Sequence, residues 1–159
     1  AAMTAMGIHL TDTFIQMLGP IVEVHALTTA GLTEWESGDS ISAQVKFASG
    51  ATGSFSSLLT TPFFMRVHVF GSGGWAESRD SVRPEVVGTS ILSTRLTGGE
   101  LEVRDVATID TVRANIEAFA AAVAGSAAYP ITMEEMAHNI AVLEAIGHSA
   151  DTGNPVALG

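Results

Sequence analysis

His9 and Asp12 are the residues whose types and spacing most directly suggest chemistry. Three apart on a helix, they share a face. A carboxylate beside an imidazole can hold the ring and tune it as a general acid or base near neutral pH. The same pair is also a common local polar contact on a helix, and both readings stand. Two ligands do not make a metal site, so no metal is expected. A second pattern is Gly71-Ser72-Gly73-Gly74-Trp75-Ala76, which matches G-x-G-x-x-A after a strand-like run. In a dinucleotide site that pattern opens a helix, whose N-terminus faces the pyrophosphate. Here Trp75 to Asp80 runs on to Pro84 with no helical stripe, so a glycine-rich hairpin turn is expected.

Other side chains are weaker candidates. Trp35 sits in the polar loop 31–39 and can stack on a sugar ring or simply anchor the loop. With His9 and Asp12 it makes up the candidate substrate-binding set, and His9 alone is the candidate catalytic residue. His25 lies within a strand pattern. His68 stands beside Arg66, on the strand face opposite Met65, Val67 and Val69. His138 and His148 fall on the last helix and read as solvated. Trp75 reads as sheet packing.

The elements that must position these residues can be read from periodicity. Residues 4–18 carry Met6, Leu10, Phe14, Met17 and Leu18 at helical spacing, with Thr4 as N-cap and Gly19-Pro20 as the stop. Residues 21–29 are β-branched and read as a strand. Ile41, Ala43, Val45 and Phe47 alternate with Ser42, Gln44 and Lys46, which marks a half-buried strand. The segment 48–51 reads as a hairpin turn into a Ser- and Thr-rich strand near 52–60. Strands near 64–70 and 75–79 follow, then a hairpin of 91–97 with 100–106 across Gly98-Gly99. A helix over 111–124 has the stripe Val112, Ile116, Phe119, Ala120 and Val123, closed by Gly125. Thr132 and Glu135 form a capping box for a last helix, with Met136, Ile140, Leu143 and Gly147 on one face.

Helix, strands, then helices is an α+β order: a mostly antiparallel, open-faced sheet with helices packed on one face. The opposite strand face, with Ser42, Gln44, Ser54 and Ser56, is small and polar. Such a face is solvated or covered by another subunit.

Composition narrows the function classes. The 159 residues suffice for a single domain over 1–159 with one sizeable core. Hydrophobic residues are 47% and charged residues 15%, which excludes a disordered chain. Seventeen acidic against seven basic residues give a net charge of −10. That opposes phosphate-backbone binding and docking on an anionic membrane, so neither a nucleic-acid nor a membrane partner is expected. Lys46 is the sole lysine and follows Gln44-Val45, which excludes a P-loop. The chain has no cysteine, hence no thiol nucleophile, disulfide or Cys-ligated metal, in keeping with a reducing, cytoplasmic setting. It enters a helical pattern at once, with no basic residue before Lys46, and is expected to be a domain preceded by an N-terminal partner.

Met6-Gly7-Ile8-His9-Leu10-Thr11-Asp12, then Leu18-Gly19 and Val24-His25-Ala26, resemble the start of the C-terminal domain of Gfo/Idh/MocA oxidoreductases, relatives of glucose–fructose oxidoreductase and inositol dehydrogenase. Further matches follow in order. They are Phe47, Gly50 and Gly53; Phe70-Gly71, Gly74 and Glu77; Phe119, Gly125 and Tyr129-Pro130; and Ser149-Ala150, Gly153 and Pro155-Val156. The resemblance implies a glyceraldehyde-3-phosphate dehydrogenase-like C-terminal domain. It implies an NAD(P)-dependent enzyme acting on a sugar, polyol or similar small molecule. NAD or NADP, with the catalytic lysine, would belong to an N-terminal Rossmann domain and not to this chain. The C-terminal domain would supply substrate contacts, His9 as active-site histidine, and a homo-oligomer interface on the open sheet face. One departure stands out: the family often places Asp four residues before the histidine, and here that residue is Ala5. The competing expectation is therefore a catalytically silent dimerisation domain of the same descent.

Overall fold

Residues 7–31, 38–80, 82–83 and 86–159 are described by the structure, a computed structural model. The elements run α1 (Ile8–Leu18), β1 (Ile21–Thr29), β2 (Ser40–Phe47), β3 (Thr52–Leu58), β4 (Met65–Gly71), β5 (Gly74–Asp80), β6 (Thr89–Leu96), β7 (Leu101–Ala107), α2 (Thr111–Val123), α3 (Met133–Thr152) and β8 (Val156–Ala157). The fold is α+β, with antiparallel strands, as the element order predicts. The strands divide into two four-stranded sheets, of order β3-β2-β1-β8 and β4-β5-β6-β7. The chain separates into two units, Ala1–Thr60 with Ile131–Gly159, and Thr61–Pro130.

In the first unit the alternation of β2 does what its pattern dictates. Ile41, Ala43, Val45 and Phe47 are buried, while Ser42, Gln44 and Lys46 are exposed. β1 has a register shift between Ile21 and Glu23. An extra residue there lets both Ile21 and Val24 point inward, which strict alternation forbids. These inward residues meet Ile15 of α1 and Val142, Ala145 and Ile146 of α3 in one apolar core. Phe14 ties α1 to the strands, with its ring 6.3 Å from that of Phe47 and 6.2 Å from that of Phe55. Gly53 faces this aromatic cluster. A Cβ there would lie 3.3 Å from Phe14 and from Val45, tighter than most packed contacts, so those side chains would have to give way slightly. β8 closes the other edge, pairing Glu23 with Ala157 and Val24 with Val156. So short a strand carries no readable periodicity in the sequence.

Two helix faces differ from expectation. On α1 the buried residues are Thr11 and Ile15, with Leu10, Phe14 and Leu18 partly buried, while Met17 is 42% exposed. On α3 the buried line is Val142, Ala145, Ile146 and Ser149, not the expected line through Met136 and Ile140. Ile140 is 55% exposed. α3 is apolar on several sides, so periodicity alone left its inner face open.

The second unit is a meander of β4 to β7 followed by α2. Arg66, His68 and Phe70 lie on one side of β4 and are exposed, while Met65, Val67 and Val69 on the other are half-buried. Asp110 caps α2 by accepting from the Arg113 N–H at 2.9 Å. The expected α2 stripe is present but faces outward, with Ile116 62% and Phe119 61% exposed. Phe119 meets the Tyr129 ring edge-on at 6.1 Å.

Candidate functional site

α1 places His9 and Asp12 in its first turns. Thr11 and Ile15 mark the side turned to the core. At about 100° per residue, His9 falls on the far side from Thr11, and Asp12 lies between. Their exposure agrees: His9 is exposed and Asp12 half-buried. No hydrogen bond or ion pair joins the two among the described residues, although they share a flank of the helix. The His9 carbonyl accepts a bond from the Thr13 hydroxyl at 2.8 Å. Trp35, Thr4 and Ala5 lie outside the described residues. Of the three substrate-binding candidates, the structure thus brings His9 and Asp12 together on one exposed flank.

Beneath this flank lies a polar tie between α1 and α3 that no sequence motif announces. Thr11 is fully buried. Its Oγ1 is 2.7 Å from Asn139 Oδ1 and 3.0 Å from the Ile8 carbonyl oxygen. Asn139 Nδ2 donates to the same Ile8 carbonyl at 3.5 Å. A polar residue in the middle of an apolar helix line was the available signal. Two more side chains join α3 to β1. His138, read from sequence as solvated, is half-buried, and its Nε2 accepts from the Ile21 N–H at 3.1 Å. Ser149 Oγ accepts from the Ala26 N–H at 2.9 Å and donates to the Asn154 carbonyl at 2.7 Å.

The remaining sequence candidates fall into structural roles. The glycine-rich segment is the hairpin turn between β4 and β5, pairing Gly71 with Gly74. Gly74 has φ +145°, and a Cβ there would run into the Arg95 carbonyl oxygen of β6. Glycine is thus required by strand geometry. No helix follows, so these residues do not fit the pyrophosphate of a nicotinamide cofactor. Among the described residues no three His, Asp or Glu side chains gather to hold a metal. His25 is half-buried on β1, and His68 packs against the Phe70 ring at 5.0 Å. A cleft of about 310 Å³ in the first unit is lined by His138, Glu144 and His148 of α3 with Val156 and Leu158. It includes neither His9 nor Asp12. No described helix is long and apolar enough to cross a membrane.

Comparison with known proteins gives a consistent outcome. Residues 1–77 match the family model described as GFO/IDH/MocA C-terminal domain. No curated protein matches the chain. Among solved structures, aldose–aldose oxidoreductase from Caulobacter crescentus, complexed with glycerol, superposes with a TM-score of 0.83 at 21% identity, over 99% of this chain and 48% of that one. A protein assigned as an NADPH-dependent oxidoreductase from Desulfitobacterium hafniense gives 0.80 at 22% identity, over 98% and 47%. The WlbA dehydrogenase from Bordetella pertussis, in complex with NADH and UDP-GlcNAcA, gives 0.65 at 18% identity, over 99% and 45%. At such identities the likeness establishes the fold. The chain spans about half the length of these structures.

Proposed function

We propose that this chain, whose residues 1–77 match the GFO/IDH/MocA C-terminal domain model, is the substrate-binding and oligomerisation domain of a nicotinamide-dependent oxidoreductase of that family. The substrate class is a sugar, a polyol or a similar small molecule. The observation that carries this reading is His9 on the outward flank of α1, away from the core that Thr11 and Ile15 face. There its imidazole is free to reach a substrate hydroxyl and to take or return its proton. Asp12, on the same flank, binds the substrate beside it, and Trp35 stacks on the ring. NAD or NADP is held by an N-terminal Rossmann domain and supplies the hydride acceptor or donor. No residue of this chain is assigned to it.

Residues 1–159 act in this reading as one domain, in the cytoplasm, within a homo-oligomer. Support for self-association is the outer face of β2 and β3, where Ser42, Gln44, Ser54 and Ser56 are all exposed. α1 and α3 pack on the opposite face through Ile15, Val142 and Ile146. This patch of small side chains, with the charged Lys46 and Glu23 at one end of the strands, can approach a copy of itself closely across a twofold axis.

The test is His9→Ala in the full-length enzyme, assayed on D-glucose with NADP. Removal of a general acid–base group lowers kcat by about 10²–10⁴-fold. Cofactor affinity should stay unchanged, because the cofactor is assigned elsewhere. A variant with wild-type kcat would make His9 structural and favour the silent dimerisation domain.

A further inference from the structure

We propose that Thr11 and Asn139 are a positioning pair that sets where His9 stands, by fixing the register of α1 against α3. The proposal rests on the reading of His9 as the acid–base residue. Among the described residues, the start of α1 has no side-chain cap. Gly7, already helical at φ −63° and ψ −34°, provides no capping side chain, and the first turn has no acidic residue. What meets this turn instead comes from α3. Thr11 Oγ1 is shared between Asn139 Oδ1 at 2.7 Å and the Ile8 carbonyl at 3.0 Å, with Asn139 Nδ2 on that same carbonyl. Ile8 immediately precedes His9. The backbone that carries the imidazole is therefore held from below by a residue that sequence places 130 positions away.

Both side chains lie where apolar residues would pack. Thr11 shares the buried line of α1 with Ile15, and Asn139 continues the α3 line of Val142, Ile146 and Ser149. A hydrogen-bonded pair in such a contact adds little net stability, because apolar groups of the same shape serve about as well. It adds registry. An apolar contact tolerates sliding, whereas a paired Thr and Asn have one setting, as with buried Asn in coiled coils. A catalytic group displaced by about 1 Å can lose about 10²-fold in rate, so registry at this turn matters more than its stability.

The double variant Thr11→Val/Asn139→Leu keeps shape and removes registry. Its melting temperature is expected to stay near that of the wild type. In this chain, NMR should show the amides of Ile8 to Asp12 shifting and exchanging faster, with those of β1 to β3 unchanged. In the full-length enzyme, with D-glucose and NADP, kcat should fall about 10- to 100-fold and cofactor affinity should hold. In a His9→Ala background the double change should add nothing. Unchanged amides at Ile8 to Asp12 would overturn the proposal. So would wild-type kcat in the double variant when His9→Ala is impaired. Wild-type kcat in both would overturn the reading of His9, and the positioning role with it. Should the double variant unfold, Asn139→Asp keeps the acceptor for Thr11 and removes the donor to Ile8. It should shift the same amides, and no shift would count against the pair.

Discussion

Ser149 shows how much one hydroxyl can carry. It is fully buried, accepts from the Ala26 N–H of β1 and donates to the Asn154 carbonyl ahead of β8. Ser149→Ala would leave that N–H buried without a partner, at about 1–3 kcal/mol. Urea denaturation should show the unfolding free energy falling by that amount, with a lower midpoint, and an unchanged midpoint would mean that another acceptor replaces Oγ. Nothing local in the sequence announces this role. Ser149 sits in an Ala-rich helix, and its partner in β1 lies more than a hundred residues earlier. His138 was opaque for the same reason: its solvated reading fails because the Ile21 N–H arrives from another element. His9 and Asp12 were legible as residue types, since a helix places neighbours at i and i+3 without help from the rest of the fold.

Whole elements were easier to read than individual partners. β1 spans the expected 21–29, and the β2 alternation gives its buried side residue by residue. The Thr132 and Glu135 capping box forms as its motif requires: the Glu135 N–H donates to Thr132 Oγ1 at 3.1 Å, and the Thr132 N–H to Glu135 Oε2 at 2.8 Å. Thr132→Ala should therefore cost about 1 kcal/mol, read as a lower midpoint in thermal or urea unfolding. The backbone bond from Thr132, followed by its hydroxyl, holds the Glu135 carboxyl below its usual range. A lowered folded value makes this contribution complete above the unfolded carboxylate value and lost as pH falls through the folded one. Glu135→Gln should accordingly flatten the acid limb of stability measured from pH 7 to pH 3. Helix faces were less legible. α3 presents Met136, Ile140, Val142, Leu143 and Ile146 around much of its circumference, and only contact with β1 selects Val142 and Ile146 as inner residues. On α2 the stripe was legible, but periodicity does not say whether a stripe is covered.

At the scale of the molecule, a chain whose sheet face is built largely of small serine side chains should self-associate. Sedimentation equilibrium at high micromolar concentration should report a dimer or a larger closed assembly, and Ser42→Glu with Ser54→Glu should weaken it by placing like charges across the twofold axis. Monomer alone at that concentration would remove the oligomerisation role. The α+β class was legible because it follows from element order. The division into two sheets was not, because hydrogen-bonding between strands depends on which edges meet. The core also has a consequence for how the protein is made. Its residues come from Ile15 to Phe55 and again from Val142 to Ile146, with Thr61–Pro130 between them. A ribosome releases the inner face of β1 to β3 well before it has synthesised the helix that covers it. Closing so long a span costs entropy before any contact repays it. The nascent chain must carry Val24, Ile41 and Val45 with only α1 to cover them through the making of an entire second unit, and this interval is when it most needs protection from other chains.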